Sequence, residues 1–331
     1  RNQNQKKRAN YDSFRLSGRA CIQRGGSCMV DFQEMKTGVD LGRGFVIKNP
    51  IMTASGTFGY SFEYARFYDV KKLGAIVTKA ITLEPRDGNS GRRIFETCGG
   101  MINRIGLENV GVKRFMAEKL PLLNKGGLDF VVNLAGSSLE EYISLAKICE
   151  EHKIRAIELN VSCPNVKSGC LEFGTDEKTL HNLVSQVRDE FSGCLIVKLT
   201  PNVTSVEKLA VAAQSAGADA VSAINTLKGT GIKLNWHKGK FIKEEVTGGL
   251  SGRAIKPVAL GVVSRISKVL DIPIIGMGGI YDLNDVFEFL SAGAAAVQVG
   301  TANFTHPECA GCIADDLHNF MYENGIRSIE D

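Results

Sequence analysis

Eight short β-branched runs, each followed by an amphipathic stretch, alternate along most of this chain. The runs are "FVIKNPIMTAS", "GAIVTKAIT", "DFVVNLAG", "RAIELNVSC", "CLIVKLT", "AVSAINT", "PIIGMGG" and "AAVQVGT". They read as nearly continuous apolar strands, the pattern of parallel strands buried on both faces. The intervening stretches have helical spacing: 61–73, 112–123, 138–152, 176–191, 205–217, 255–270, 282–293 and 312–325. Several open on a capping residue, as "TDEKTL" and "VTSVEKL" do. Eight strand–helix units predict an α/β fold, a (β/α)8 TIM barrel, which typically takes about 250 residues. The competitor is a doubly wound open sheet, but no GxGxxG follows the first strand.

The 331 residues are 44% hydrophobic and 23% charged, an ordinary globular composition. Glycine is abundant at 36 without any repeat, which fits many tight strand–helix turns. No apolar run approaches the roughly 20 residues of a membrane span, so a soluble, cytoplasmic chain is expected. The net charge of +4 is unevenly spread. Residues 1–28 hold seven Lys/Arg and one Asp, leaving 33 basic and 35 acidic residues elsewhere. A nucleic-acid surface would need basic clustering on the body, and none is visible. The leader has no apolar h-region and little hydrophobic content, so a disordered extension is expected, with Met29 a plausible natural start and 29–331 one domain. A targeting peptide, an added tag or upstream translation would each account for it. The nine cysteines are odd in number and scattered, which favours reduced thiols. "HPECAGC" holds a lone CxxC, better read as a helix start than as a zinc site.

A barrel places its chemistry at the carboxyl ends of its strands. Ser55, Lys79, Asn133, Asn160, Cys163, Lys198, Asn225 and Thr226 occupy those ends. Three long excursions leave the same rim: 83–110, 163–176 and 227–251. Loops of that length are usually lids or binding loops, and the third alternates enough to be a hairpin flap. "GMGG" and "VGTAN" end strands seven and eight, where glycines let backbone amides approach a phosphate. Lys198 suits a cofactor's negative charge, a Schiff base or an ion pair with a neighbouring acid. Lys79 can stabilise developing charge on a substrate. The loop "GGMINRIGLEN" adds Asn103 and amides around Gly106, or is merely a glycine-punctuated turn. Asn133, Asn160 and Asn225 suit a planar, multiply hydrogen-bonding ligand, although single asparagines there are usually caps. Cys163 has no histidine nearby in sequence, which argues against a protease nucleophile. Its alternatives are a small buried hydrophobe or a proton-abstracting base.

Eight strings go further. "NPIMTASGTFG", "NRIGLEN", "NVSCPNVKSG", "VKLTPN", "AINT", "TGGLSGRAIKPVAL", "GMGGI" and "VQVGTANF", in this order over about 49–304, resemble the catalytic chain of class 1B dihydroorotate dehydrogenase. The resemblance implies an FMN-containing barrel that oxidises dihydroorotate to orotate in pyrimidine synthesis. Cys163 then corresponds to the base that takes a substrate proton, and Lys79 to the lysine beside flavin and substrate. Serine stands at the cysteine position in the quinone-linked class. Asn103, Asn160, Asn225 and Thr226 match substrate contacts, together with Arg104 and the amides of Ile105, Gly106 and Leu107. Ser55, Ala80, Asn133, Lys198 and Ile224 match FMN contacts, as do Lys79 and Asn160. Gly252, Gly278, Gly279, Gly300 and Thr301 match the FMN phosphate side. The implied partner carries FAD and a [2Fe–2S] cluster and passes electrons to NAD⁺, two copies of each chain forming a heterotetramer around a homodimer. No metal is implied on this chain. "NVSCPNVKSG" and "TGGLSG" favour class 1B over the fumarate-linked class 1A. Arg253 departs from the family's proline. Rival readings are a dihydropyrimidine dehydrogenase-like FMN barrel, a flavin-free Schiff-base lyase and a barrel that only binds FMN or scaffolds a partner.

Overall fold

The computed structural model describes residues 35–162, 173–237 and 239–329. Eight parallel strands close into a barrel: β1 (Ile51–Thr53), β2 (Ala75–Val77), β3 (Phe130–Leu134), β4 (Ala156–Asn160), β5 (Cys194–Lys198), β6 (Ala220–Ala223), β7 (Ile274–Met277) and β8 (Ala296–Val299). Each pairs with its sequence neighbours and β8 pairs with β1, so the sheet has no edge. These are the eight expected runs. Residues 1–34, including the expected leader and Met29, lie outside the described residues.

Side chains alternate across each strand, which produces two apolar layers. Inside the barrel, Met52, Val77, Val131, Ile196 and Ile275 pack together with almost no exposure. A short hairpin, Val39–Asp40 with Val46–Ile47, closes the amino end by adding Leu41 and Phe45 to that cluster. Outside, the strands meet the apolar faces of helices. Leu139–Glu151, for example, buries Tyr142, Leu145, Ala146 and Cys149, spaced at three to four residues. Its amino end is capped by Ser138, whose hydroxyl accepts from Glu141 N at 3.3 Å. Asp176 and Asp282 cap Glu177–Glu190 and Leu283–Ser291 in the same way.

One expected helix does not form. Residues 61–73 are a series of turns ending in a single 3-10 turn, Val70–Lys72. Ser61 takes φ of 77°, incompatible with a helix, and aromatics around the segment pack on one another instead, although Phe67 stays exposed. Phe58 stacks on Tyr64 at 4.1 Å between ring centroids, and Tyr60 meets Phe115 at 5.8 Å. Burial of these rings outweighs weak aromatic helix propensity. By contrast, Cys309–Asn324 is a helix opening at the first cysteine of the CxxC, as expected.

Two rim excursions join. Leu227–His237 and Lys240–Ser251 form the expected hairpin, which pairs through Gly249, Leu250 and Ser251 with Gly100–Asn103. Ile94–Thr97 completes a four-stranded antiparallel sheet over the carboxyl ends of the barrel strands. Among the described residues, no helix is long and apolar enough to cross a membrane.

Candidate active site

A cavity of about 1060 Å³ lies between the carboxyl ends of the strands and the rim sheet. From β1 and β2 come Ser55, Lys79 and Ala80. The excursion after β2 supplies Asn103 through Leu107, thus including Arg104, Ile105 and Gly106. From β4, β5 and β6 come Asn160, Lys198, Ile224, Asn225 and Thr226. The opposite wall holds Gly252, Gly278, Gly279, Gly300 and Thr301. Residues separated by up to 246 positions thus share one space, as the carboxyl-end rule predicts. Cys163 lies outside the described residues, as does the rest of 163–172; Asn160, Val161 and Ser162 bring the chain along the cavity wall just before it.

Hydrogen bonds fix most of these groups. Asn225 Nδ2 donates to Asn160 Oδ1 at 3.2 Å, and Asn225 Oδ1 accepts from Thr226 N at 2.8 Å. Behind them, the Tyr142 hydroxyl donates to Asn160 O at 2.7 Å. Asn103 Nδ2 donates across the sheet to Gly249 O at 3.2 Å. A Cβ on Gly249 would come within 2.1 Å of Thr226 Oγ1, so only glycine lets the flap approach the site this closely. Thr301 Oγ1 donates to Ser251 Oγ at 2.8 Å, linking β8 to the flap. Arg253 stacks over Tyr281 at 4.2 Å and reaches Asp285 at 4.0 Å, outside the residues that line the cavity.

The loop 104–108 is held by Asn89, whose Nδ2 donates to Arg104 O at 2.8 Å. Glu108 follows, its carboxyl held below the usual range by the hydrogen bond from Arg93 and then by the charge of Lys79. Four cationic residues line the cavity, Lys79, Arg104, Lys198 and Lys228, with Lys198 rising from the floor.

Around Lys198 and Asn133 the floor holds three residues that sequence reasoning missed, Glu158, Ser222 and Gln298. Glu158, on β4, is fully buried inside the barrel. Its Oε1 accepts from Asn133 Nδ2 at 2.7 Å and lies 3.7 Å from Lys198 Nζ. Its Oε2 accepts from Ser222 Oγ at 2.7 Å and Gln298 Nε2 at 3.0 Å. Donors on four strands, β3, β5, β6 and β8, thus converge on one carboxylate on β4. Lys198 is paired with a neighbouring acid, one of its three sequence-level readings, and still lines the cavity. Asn133 belongs to the floor and does not itself line the cavity. The available signal was a glutamate inside the apolar run "RAIELN" and a glutamine inside "AAVQVG".

The profile of the family described as dihydroorotate dehydrogenase matches residues 42–321. The chain belongs to the dihydroorotate dehydrogenase family. It is 49% identical over 289 residues to a protein of Geotalea uraniireducens, covering 87% of this chain and 94% of that one. To a protein of Porphyromonas gingivalis it is 46% identical over 298 residues, covering 90% and 96%. To one of Bacteroides thetaiotaomicron it is 44% identical over 286 residues, covering 86% and 94%. All three relatives are named dihydroorotate dehydrogenase B (NAD(+)), catalytic subunit. Family membership and the closed barrel agree with the reading of the strings.

Proposed function

We propose that this chain is the catalytic subunit of an NAD⁺-linked, class 1B dihydroorotate dehydrogenase, oxidising (S)-dihydroorotate to orotate in pyrimidine biosynthesis with FMN as its bound cofactor. The observation that carries this reading is the convergence of Lys79, Asn103, Asn160, Lys198 and Asn225 on one cavity in a chain of this family. The cavity of about 1060 Å³ has room for a flavin nucleotide beside a small planar acid. Its far wall fits a phosphate. Gly279 has φ of 78°, and a Cβ there would lie 2.7 Å from Lys256 Cβ, so the backbone turns tightly with its amides free for an anion. The buried polar floor suits the edge of a heterocycle.

When bound, FMN supplies the hydride acceptor. The protein's residues do the rest. Cys163, by its position in "NVSCPN", is the base that removes a proton from substrate C5. Lys79 holds a positive charge beside the charge that develops as that proton leaves. Asn103, Asn160, Asn225 and Thr226 orient the planar ring and its carboxylate, with Arg104 and the amides of Ile105 to Leu107 closing the other side. Lys198 would offer its ammonium to the bound flavin. Of the cavity-lining residues, Ser55, Ala80 and Ile224 would hold the ring and Gly252, Gly278, Gly300 and Thr301 the phosphate, with Asn133 supporting the floor through Glu158. The rim sheet forms part of the cavity wall through Met101, Asn103, Thr247 and Gly249.

The remaining parts of the reading concern assembly. Residues 29–331 form one catalytic domain in the cytoplasm, and electrons leave through a partner subunit carrying FAD and a [2Fe–2S] cluster, in a heterotetramer built on a homodimer. The name "catalytic subunit" on the relatives supports a partner.

Anaerobic reduction of the yellow protein by dihydroorotate, followed through the flavin absorbance with Cys163→Ser alongside, tests the core of this proposal. Rapid bleaching in the wild type and a roughly 10²- to 10⁴-fold slower reaction in the variant are expected for loss of a general base. A bound flavin that never bleaches would move the assignment to a dihydropyrimidine dehydrogenase-like barrel, and a protein unable to bind flavin would overturn it.

A further inference from the structure

Gln298 has a loose end. Its side chain is fully buried at the floor of the cavity, which it lines. Its Nε2 donates to Glu158, but its Oε1 is buried with no hydrogen-bond partner. Asn133 Oδ1 is left in the same condition while its Nδ2 donates to Glu158. Such orphaned acceptors are rare in folded proteins, because burial without a hydrogen-bond partner is unfavourable.

The orientation is forced by chemistry. An ionised carboxylate only accepts hydrogen bonds, so each amide that touches Glu158 must turn its NH₂ group toward it. Reversing either amide would set a carbonyl oxygen against the carboxylate. Ser222 and the Lys198 ammonium complete the set of donors around Glu158. The carboxylate therefore turns both carbonyl oxygens away from itself, and of the two residues Gln298 lines the cavity.

We infer that Gln298 Oε1 is a hydrogen-bond acceptor for the bound flavin nucleotide, and that Glu158 is the positioning residue that fixes this acceptor. The inference rests on the flavin reading above. Two donors on the cofactor have the required chemistry: the ring N3–H, the single N–H of an oxidised isoalloxazine, and a ribityl hydroxyl. Lys198 supplies the opposite polarity nearby, so the floor offers one fixed donor and one fixed acceptor. A ligand edge with that pattern is recognised without side chains having to reorganise.

The test measures FMN binding by fluorescence recovery as the holoenzyme is diluted, in wild type, Gln298→Met, Glu158→Gln and the double variant. Gln298→Met keeps the shape and removes the acceptor. It should weaken FMN about tenfold or more, the effect of leaving a buried cofactor donor unpaired. Glu158→Gln frees the amide to flip and should weaken FMN similarly. The double variant should bind more tightly than the product of the single losses predicts, because Glu158 acts through Gln298. Reconstitution with N3-methyl-FMN separates the donors. A loss on Gln298→Met that disappears with this analogue assigns N3–H, and a loss that persists assigns the ribityl chain. Folding is checked by thermal melting of each apoprotein; should Glu158→Gln not fold, Gln298→Met decides alone. Wild-type FMN affinity in folded Gln298→Met would overturn the inference, and full additivity would overturn the role of Glu158. A wild type that binds no FMN would instead sink the functional reading.

Discussion

The interior of the barrel holds two layers that are equally buried and chemically opposite. Toward the amino end, Met52, Val77, Val131, Ile196 and Ile275 make an apolar plug. Toward the carboxyl end, Asn133, Glu158, Lys198, Ser222 and Gln298 make a polar floor, none of them more than 5% exposed. Ile196 and Lys198 are two residues apart on β5 and face the same interior, yet one is in each layer. The lower layer gains its free energy from removing apolar surface from water. The upper layer loses free energy on desolvation and recovers it only through matched hydrogen bonds and charge. A barrel needs the first to be stable. The second makes sense only where something above it is to be bound.

Substitutions can break this division. The largest effect is expected for Lys198→Ala, which leaves Glu158 buried with its cationic partner removed. Removing one partner of a buried pair costs about 3–5 kcal/mol, and flavin affinity should fall with it. Chemical denaturation with FMN titration checks both. Ile196→Ala should cost a comparable or smaller 2–5 kcal/mol through the cavity it creates, while folded protein keeps wild-type FMN affinity. Loss of affinity there would mean that the two layers are not separable. Ser222→Ala removes one of the donors to Glu158 and should cost about 1–2 kcal/mol, with a several-fold change in FMN binding at most.

The smallest effect concerns thiols. Burial pushes Cys149, behind the barrel wall, from its ordinary 9.0 up to about 12. Burial likewise pushes Cys194, in the apolar layer, up to about 12. Both should stay protonated and unreactive toward a thiol-specific disulfide reagent at pH 8 until the chain unfolds. A raised value also means that the unfolded chain releases these protons first. Stability from these groups is therefore complete below pH 9 and declines as pH rises from 9 toward 12. Rapid labelling of either thiol in the native protein would contradict this part of the structure. The proposed base, Cys163, should instead be the cysteine whose modification abolishes flavin reduction.

Much of the barrel could be read directly from the chain, because a buried parallel strand has a local signature. "CLIVKLT" is apolar on both faces and ends in polar residues, and that pattern survives wherever the strand sits. Carboxyl-end residues such as Lys79, Asn160 and Asn225 could then be gathered by the single rule that such ends converge. Helix starts at Ser138 and Asp176 were legible for the same reason, since a cap acts within three residues.

What escaped the sequence depends on partners far away in the chain. Residues 61–73 have helical spacing, but Phe58, Tyr60 and Tyr64 find better burial against one another and Phe115 than a helix would give. Gly249 meets Asn103 across 146 residues, so two separate excursions become one sheet, and neither excursion carries a mark of the other. Glu158 is the sharpest case. In "RAIELN" it is an isolated charge in an apolar strand, with nothing local to say whether it is tolerated or used. Closing the barrel brings Asn133, Lys198, Ser222 and Gln298 around it and turns that charge into the centre of a binding floor. Periodicity and capping act over a few residues, so the chain alone determined its barrel strands, most of its helices and the composition of its rim. Desolvation and hydrogen-bond satisfaction are properties of the closed interior, and only the tertiary structure decided what that interior holds in place.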